Sequence, residues 1–224
     1  MADLDLAAVY LAVRDRMRPV FEAMPAADAE RIVPSCPDWT VHDLLAHQTS
    51  MPTAIIAGDL PSGDANDWIQ GLVDARRDTT VEELLTEWRT DDAALGGLVA
   101  NVGLLVGDLV VHEGDLAGAL GIAADRTAPE SEAMLPGALA GLKAPITEAG
   151  LGAIEVRHGD RRWRTHDAAP GWSFEADPWE ALRALTSRRT ADELRAAPHT
   201  GGIEPYVAIL DAHLPLPTAT LGER

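Results

Sequence analysis

Apolar residues recur at spacings of three and four through most of the first half of the chain, and this pattern constrains the fold more than any other feature. The second such stretch begins at Thr40, whose hydroxyl can cap a helix while Asp43 completes a capping box. The fourth, NVGLLVGDLVVHEGDLAGALG, is apolar on nearly all sides and is predicted to be the most buried. The four predicted helices span 3–24, 41–56, 80 to about 97–99, and this last segment. Together they predict a helix bundle over residues 1–128.

The apolar period changes after a further predicted helix over residues 129–149. The segment IEVRHGDRRWRTH alternates about a Gly-Asp turn and predicts a β-hairpin, with WSFEA as a third strand. Short helices are predicted over 178–185, 190–196 and 204–210. The predicted fold class is therefore α+β, with a small α+β domain over 129–216 and a disordered tail over 217–224.

Composition excludes several classes of function. Among the 224 residues, 36 acidic and 18 basic side chains give a formal net charge of −18, which disfavours binding to a nucleic-acid backbone. No apolar run is long enough for a membrane span, so we expect a cytoplasmic protein. The single cysteine, Cys36, excludes an internal disulfide framework and leaves histidines and carboxylates as the metal ligands to consider. A packed structural thiol is the preferred interpretation of Cys36.

Polar residues interrupt the apolar faces of two predicted helices. His47 shares a face with Leu44 and Met51, while Asp108, His112 and Asp115 fall on one stripe of the most buried helix. Buried carboxylates are expected to be paired or to coordinate metal. The spacing of His47, Asp108 and His112 suits a three-ligand metal site with open positions, and Asp115 could orient His112 from behind. A plain Asp–His ion pair in the bundle core is the alternative.

Two of these segments resemble a known family. The stretch VPSCPDWTVHDLLAHQ at 33–48 is similar to the Cys-Pro-x-Trp-Thr-Val-x-Asp-Leu-x-x-His segment of the mycothiol-dependent maleylpyruvate isomerase family. The stretch DLVVHEGDLAGALG at 108–121 resembles its Glu-x-x-x-His-x-x-Asp segment, with Asp108 in place of the glutamate. Near the C-terminus, DPWEALRALTSRRTADELRA and IEPYVAIL resemble the region that accompanies the domain.

The resemblance implies a DinB-like four-helix bundle in which His47, Asp108 and His112 bind a divalent metal, usually zinc. It also implies mycothiol as a thiol cosubstrate and a small electrophilic or unsaturated acid as substrate. An arginine is then needed to hold the anionic ligand, and the Ser-Arg-Arg step favours Arg188 or Arg189. The chain is expected to act as a monomer or a homodimer, without nucleic-acid or membrane partners.

Three functions remain open at the level of sequence. The first is a mycothiol-dependent isomerase or S-transferase. The second is a non-catalytic metal-binding or ligand-binding regulator of the same fold, because a fold does not determine a function. The third is a hydrolase that uses metal-bound water and needs no thiol.

Overall fold

The structure is a computed structural model that describes residues 5–89, 97 and 103–223. These residues form two compact units, one ending at Ala123 and the other running from Ala124 to Glu223. The α+β fold class is confirmed, with a helical N-terminal unit and a C-terminal unit built around a small mixed sheet. The domain limits predicted at 128 and 216, and the predicted disorder of 217–224, stay predictions.

The N-terminal unit contains the predicted helices and a short hairpin. The hairpin pairs β1 with β2 in antiparallel fashion, directly before α2. The elements are α1 (Leu6–Ala23), β1 (Ile32–Val33), β2 (Cys36–Thr40), α2 (Val41–Ile56), α3 (Ala65–Asp74), α4 (Val81–Glu87) and α5 (Gly103–Leu120). The end predicted for the third helix, near 97–99, lies outside the described residues except for Gly97.

Helix α3 is not among the helices predicted from the sequence. Asp64 caps this helix by accepting hydrogen bonds from the backbone of Asn66 and Asp67. Among the described residues of this helix Val73 alone is fully buried, but apolar residues recur at helical spacing along one face, namely Trp68, Ile69, Leu72 and Val73. This spacing and the N-cap were both signals available in the sequence.

The core of the N-terminal unit lies between α1, α2 and α5. Val13, Met17 and Phe21 project from α1, and the Phe21 ring packs edge-on against Trp88 with ring centroids 6.4 Å apart. The indole of Trp88 donates a 3.0 Å hydrogen bond to the hydroxyl of Tyr10, which satisfies the polar atoms of both buried side chains. These contacts hold α1 against the end of α4, where Trp88 is the C-cap residue.

The C-terminal unit contains a four-stranded sheet in the order β4-β3-β5-β6. The predicted hairpin is present as antiparallel β3 and β4, and β5 confirms the third strand. Strand β5 runs parallel to β3, and β6 extends the sheet at its other edge. The elements are α6 (Pro129–Glu148), β3 (Ala153–His158), β4 (Arg161–Arg164), β5 (Pro170–Glu175), α7 (Pro178–Leu185), α8 (Ala191–Ala196), β6 (His199–Gly201) and α9 (Glu204–His213).

Aromatic residues pack on one face of this sheet. Trp172 stacks on Phe174 with ring centroids 4.7 Å apart and lies 5.8 Å from the ring of Tyr206. The Tyr206 hydroxyl donates a 2.8 Å hydrogen bond to the carbonyl of Gly152 and passes so close to Gly171 that a Cβ there would lie 2.0 Å from it. Glycine at 171 is therefore required for helix α9 to approach the sheet.

Candidate metal centre

Helix α2 carries His47 at a fixed point two turns from its start. The helix begins with the predicted capping box, in which Thr40 Oγ1 accepts from the Asp43 amide at 3.1 Å and Asp43 accepts from the Thr40 amide at 2.9 Å. The apolar residues Leu44 and Leu45 on the same helix are fully buried. His47 is buried with them, so its imidazole points into the bundle as predicted.

Helix α5 places Asp108 and His112 opposite His47. His47 Nε2 lies 3.1 Å from Asp108 Oδ2, and His112 Nε2 lies 3.3 Å from Asp108 Oδ1. One donor atom from each of the three residues lies within 4.8 Å of the other two. The Asp108 side chain keeps 27% of its surface exposed, which leaves the cluster open to solvent on that side. The three residues singled out from the sequence are thus brought to one point.

Two further side chains orient this cluster. Asp115 Oδ2 lies 2.8 Å from His112 Nδ1, as expected for a carboxylate that holds the ring from behind. With the Nδ1 proton directed to Asp115, His112 Nε2 faces Asp108. Gln48 donates a 2.8 Å hydrogen bond from Nε2 to Asp108 Oδ2. Sequence reasoning missed Gln48, because a glutamine next to a histidine on a buried helix has no distinctive spacing.

Cys36 and Trp39 approach the cluster from the β-hairpin. The Cys36 sulfur and donor atoms of His112 and Asp115 lie within 4.8 Å of one another, whereas the sequence analysis preferred a packed structural thiol. The Trp39 ring centroid lies 4.8 Å from that of His47, and the two histidine rings are 5.1 Å apart. The indole therefore forms an aromatic wall beside the imidazoles.

The electrostatics of the cluster are dominated by mutual attraction. Burial raises the pKa of Asp108, but the charges and hydrogen bonds of His112 and His47 outweigh it and hold that pKa well below its usual range. Burial lowers the pKa of His112, yet Asp108 and Asp115 raise it to about 10. A proton on His112 at neutral pH thus occupies the place that a metal would take on Nε2.

The donor set fits a divalent transition metal. Two imidazole nitrogens and one carboxylate are a ligand combination that zinc uses in open catalytic sites. His47 Nδ1 is buried and has no hydrogen-bond partner among the described residues, so His47 engages the cluster through Nε2 alone. Asp108 is shorter than glutamate by one methylene, and its oxygens still reach both histidines.

Arg188 and Arg189 lie in the C-terminal unit, where other groups engage them. Arg188 donates a 2.6 Å hydrogen bond to the carbonyl of Thr186. Arg189 forms a bidentate pair with Glu180 at 2.6 and 2.8 Å and a further bond of 2.7 Å to Glu223. The anion-binding role suggested for these arginines stays a prediction.

The fold and the donor set define a helix-bundle protein with a candidate site for a divalent metal. Residues 10–103 match the family model described as the mycothiol maleylpyruvate isomerase N-terminal domain, which confirms the resemblance seen in the sequence. That segment includes His47, whereas Asp108 and His112 lie beyond it.

A solved structure carries the same fold. It is a crystal structure of a histidine-to-alanine mutant of the mycothiol-dependent maleylpyruvate isomerase, with a TM-score of 0.61 and 10% sequence identity. The match covers 84% of this chain and 90% of that one, so the shared fold extends over both compact units. No curated protein matches the chain in sequence. In the described residues, no helix is both long and apolar enough to cross a membrane.

Proposed function

We propose that the chain is a metal-dependent cytoplasmic enzyme that uses mycothiol to isomerise, or to transfer a thiol to, a small electrophilic or unsaturated acid. The observation that carries the proposal is the convergence of His47, Asp108 and His112 on one point of a bundle whose sequence matches the family domain. The named activity of the structural relative supplies the reaction class.

In this proposal His47, Asp108 and His112 hold a divalent ion, with zinc favoured by the mixed nitrogen and oxygen donor set. When bound, the ion lowers the pKa of a thiol or a water and polarises a carbonyl oxygen. The three protein ligands leave coordination positions for small molecules, and the exposed side of Asp108 is where they would enter.

The chain's own residues prepare the site for this chemistry. Asp115 accepts a hydrogen bond from Nδ1 of His112, which fixes the ring and keeps Nε2 directed at the cluster. Gln48 binds one oxygen of Asp108 and restricts rotation of the carboxylate. Trp39 lies against His47 and limits the approach of water from its side. Each contact reduces the reorganisation needed when a metal and a thiol bind.

The isomerisation itself makes modest demands on the protein. A thiolate adds to one carbon of the substrate double bond and leaves a negative charge delocalised into the adjacent carbonyl. The resulting single bond rotates, and elimination expels the thiolate and forms the trans product. The thiolate is therefore consumed and regenerated, so the thiol behaves as a cofactor. In a transferase the neighbouring carbon instead takes up a proton and elimination does not follow.

The test is a coupled assay on zinc-loaded protein with mycothiol and maleylpyruvate. Thiol-dependent turnover that disappears in His47→Ala and His112→Ala, and persists in Glu113→Gln, supports the proposal. Glu113 is a matched control because it neighbours His112 but pairs with Arg16 at 2.8 Å. Turnover of an ester without added thiol would favour a hydrolase. A loaded protein that binds neither thiol nor substrate would favour the non-catalytic regulator.

A further inference from the structure

The last residues of the chain carry a carboxylate into a pair of buried arginines. Residues Thr218 to Thr220 are exposed, and the described segment from Leu214 to Glu223 forms no helix or strand. Yet the Glu223 side chain is only 5% exposed. Gly222, at φ +68°, adopts the left-handed conformation that turns the chain just before it. An exposed tail thus ends in a buried ionic contact.

Arg183 and Arg189 bind this carboxylate from two sides. Arg183, on α7, has a side chain only 2% exposed and donates to Glu223 from Nε at 3.2 Å and from Nη2. Arg189 donates from Nη1 to Glu223 Oε2 at 2.7 Å. Both oxygens of one carboxylate are therefore held by two guanidinium groups, the geometry in which arginine recognises carboxylates.

The surroundings have the shape and chemistry of a ligand site. The Trp179 ring lies 5.4 Å from the Arg189 guanidinium, 5.8 Å from that of Arg183 and 4.4 Å from that of Arg126. A cavity of about 410 Å³ adjoins the tail, and its lining includes Arg126 and Arg189 together with Glu180, Glu193 and Glu223. A molecule whose carboxylate replaced that of Glu223 would have room here for the rest of its atoms.

We propose that Arg183 and Arg189 form a binding site for small organic carboxylates, and that Glu223 occupies it as an internal competing ligand. A buried arginine needs an anionic partner, so the site favours occupancy by one carboxylate or another. A carboxylate carried by the same chain competes at a high effective concentration, which is of the order of millimolar for a short linker. External acids must exceed that value to displace the tail, unless they gain further contacts in the cavity.

The neighbouring charges select the class of ligand. Glu180 already binds Arg189 through both oxygens and also contacts Arg126 at 3.4 Å. Its charge disfavours a dianion such as phosphate at the adjacent position, whereas a single carboxylate repeats the contacts of Glu223. The two charges of a short dicarboxylate lie further apart than those of phosphate. Its second carboxylate could share Arg126 with Asp177, which lies 3.0 Å from that guanidinium, so short dicarboxylates are expected to bind more tightly than acetate.

The test compares wild-type protein with Glu223→Ala, using acetate and succinate as probes and sodium chloride of equal ionic strength as the reference. Ligand binding is followed by thermal melting and by shifts of the arginine side-chain NMR signals. The melting temperature of Glu223→Ala should rise with acetate and more with succinate, at concentrations at least tenfold below those that affect wild type. Phosphate should act no better than chloride. Glu204→Ala, which removes the exposed partner of Arg195, should show no response.

Equal responses of wild type and Glu223→Ala, or no carboxylate-specific response in the variant, would overturn the proposal and leave Glu223 as a purely structural partner. If Glu223→Ala folds only with acetate present and not with chloride, the proposal is supported. If Glu223→Ala folds under neither condition, the same titrations are made on Glu223→Gln. Its amide keeps one acceptor oxygen for the arginines, but without the negative charge it competes less well with an added carboxylate. Adding Arg189→Gln to either variant should abolish the carboxylate response.

Discussion

The two units of the protein bury carboxylates in opposite ways. In the N-terminal unit, Asp108 faces the imidazoles of His47 and His112. In the C-terminal unit, Glu155 is 2% exposed and lies 2.5 Å from both Arg157 and Arg164. A guanidinium keeps its proton at every physiological pH, whereas an imidazole can release one. The arginine-paired carboxylate is therefore neutralised permanently, while the imidazole-paired one can exchange a proton for a metal.

This difference separates a structural pair from a candidate site without reference to any relative. The Glu155 contacts are local to the sheet, since Arg157 lies two residues along the same strand and Arg164 is the direct cross-strand partner. The Asp108 contacts join two helices and bring one donor atom from each of His47, Asp108 and His112 within 4.8 Å of the other two. The comparison predicts that replacing Asp108 changes metal binding, and that replacing Glu155 changes stability without changing metal content.

The largest effect is expected from Asp108→Asn. The amide removes the negative charge between the two histidines and replaces one acceptor oxygen with a donor nitrogen. Zinc affinity should fall by at least about 100-fold, because this loss exceeds that expected for an orienting residue. Competition with a chelating indicator measures the change, and Glu113→Gln serves as the control on the same helix. Unchanged zinc affinity in Asp108→Asn would show that Asp108 is not a ligand and that only the two histidines bind the metal.

Asp115→Asn should have a smaller effect of the same kind. Its carboxylate contacts His112 at Nδ1, and removal of the charge lowers the basicity of Nε2 without removing a ligand. Loss of such an orienting partner costs about 10–100-fold in metal affinity. The same titration measures it. Affinity lower than that of Asp108→Asn would show that Asp115 itself is a ligand, in line with its position near the Cys36 sulfur.

In the C-terminal unit, Glu155→Gln should destabilise the protein by about 1–3 kcal/mol, because charged hydrogen bonds to two arginines become neutral or are lost. Its zinc content should equal that of wild type. Urea unfolding measures the free energy, and Glu204→Gln provides an exposed control whose ion pair with Arg195 is expected to contribute little to stability. Loss of metal in Glu155→Gln would contradict the assignment of Glu155 as a purely structural carboxylate.

The pH dependence of stability is the smallest effect. Burial raises the pKa of Glu155, but Arg157 and Arg164 outweigh it and lower the pKa below the ordinary value of 4.5. A lowered folded-state pKa gives stability that is present above about pH 4.5 and is lost as the pH falls through the folded value. Unfolding free energies of wild type and Glu155→Gln should therefore converge in acid. A constant difference at every pH would contradict this assignment.

The sequence predicted those elements whose signals are local. Helix α2, its capping box and the inward direction of His47 all follow from residues within one or two turns of each other. The β3–β4 hairpin likewise follows from its turn. The candidate metal ligands could also be proposed from the sequence, because polar residues on the apolar face of a buried helix are rare and therefore conspicuous.

Features that depend on long-range packing were missed. The parallel pairing of β3 with β5 and the edge strand β6 join segments whose spacing does not specify a partner. Gln48 and Cys36 reach the cluster only because α5 and the β-hairpin pack where they do. Glu223 meets Arg189 across 34 residues, a contact that no periodicity encodes.

The most direct test of the central claim is elemental analysis of protein purified without added metal, alongside His112→Ala and Glu113→Gln. We predict about one zinc or similar divalent ion per chain in wild type and in Glu113→Gln, and a loss of that ion in His112→Ala. Equal metal content in all three proteins, or no metal in wild type even after incubation with zinc, would contradict the assignment of His47, Asp108 and His112 as a metal centre.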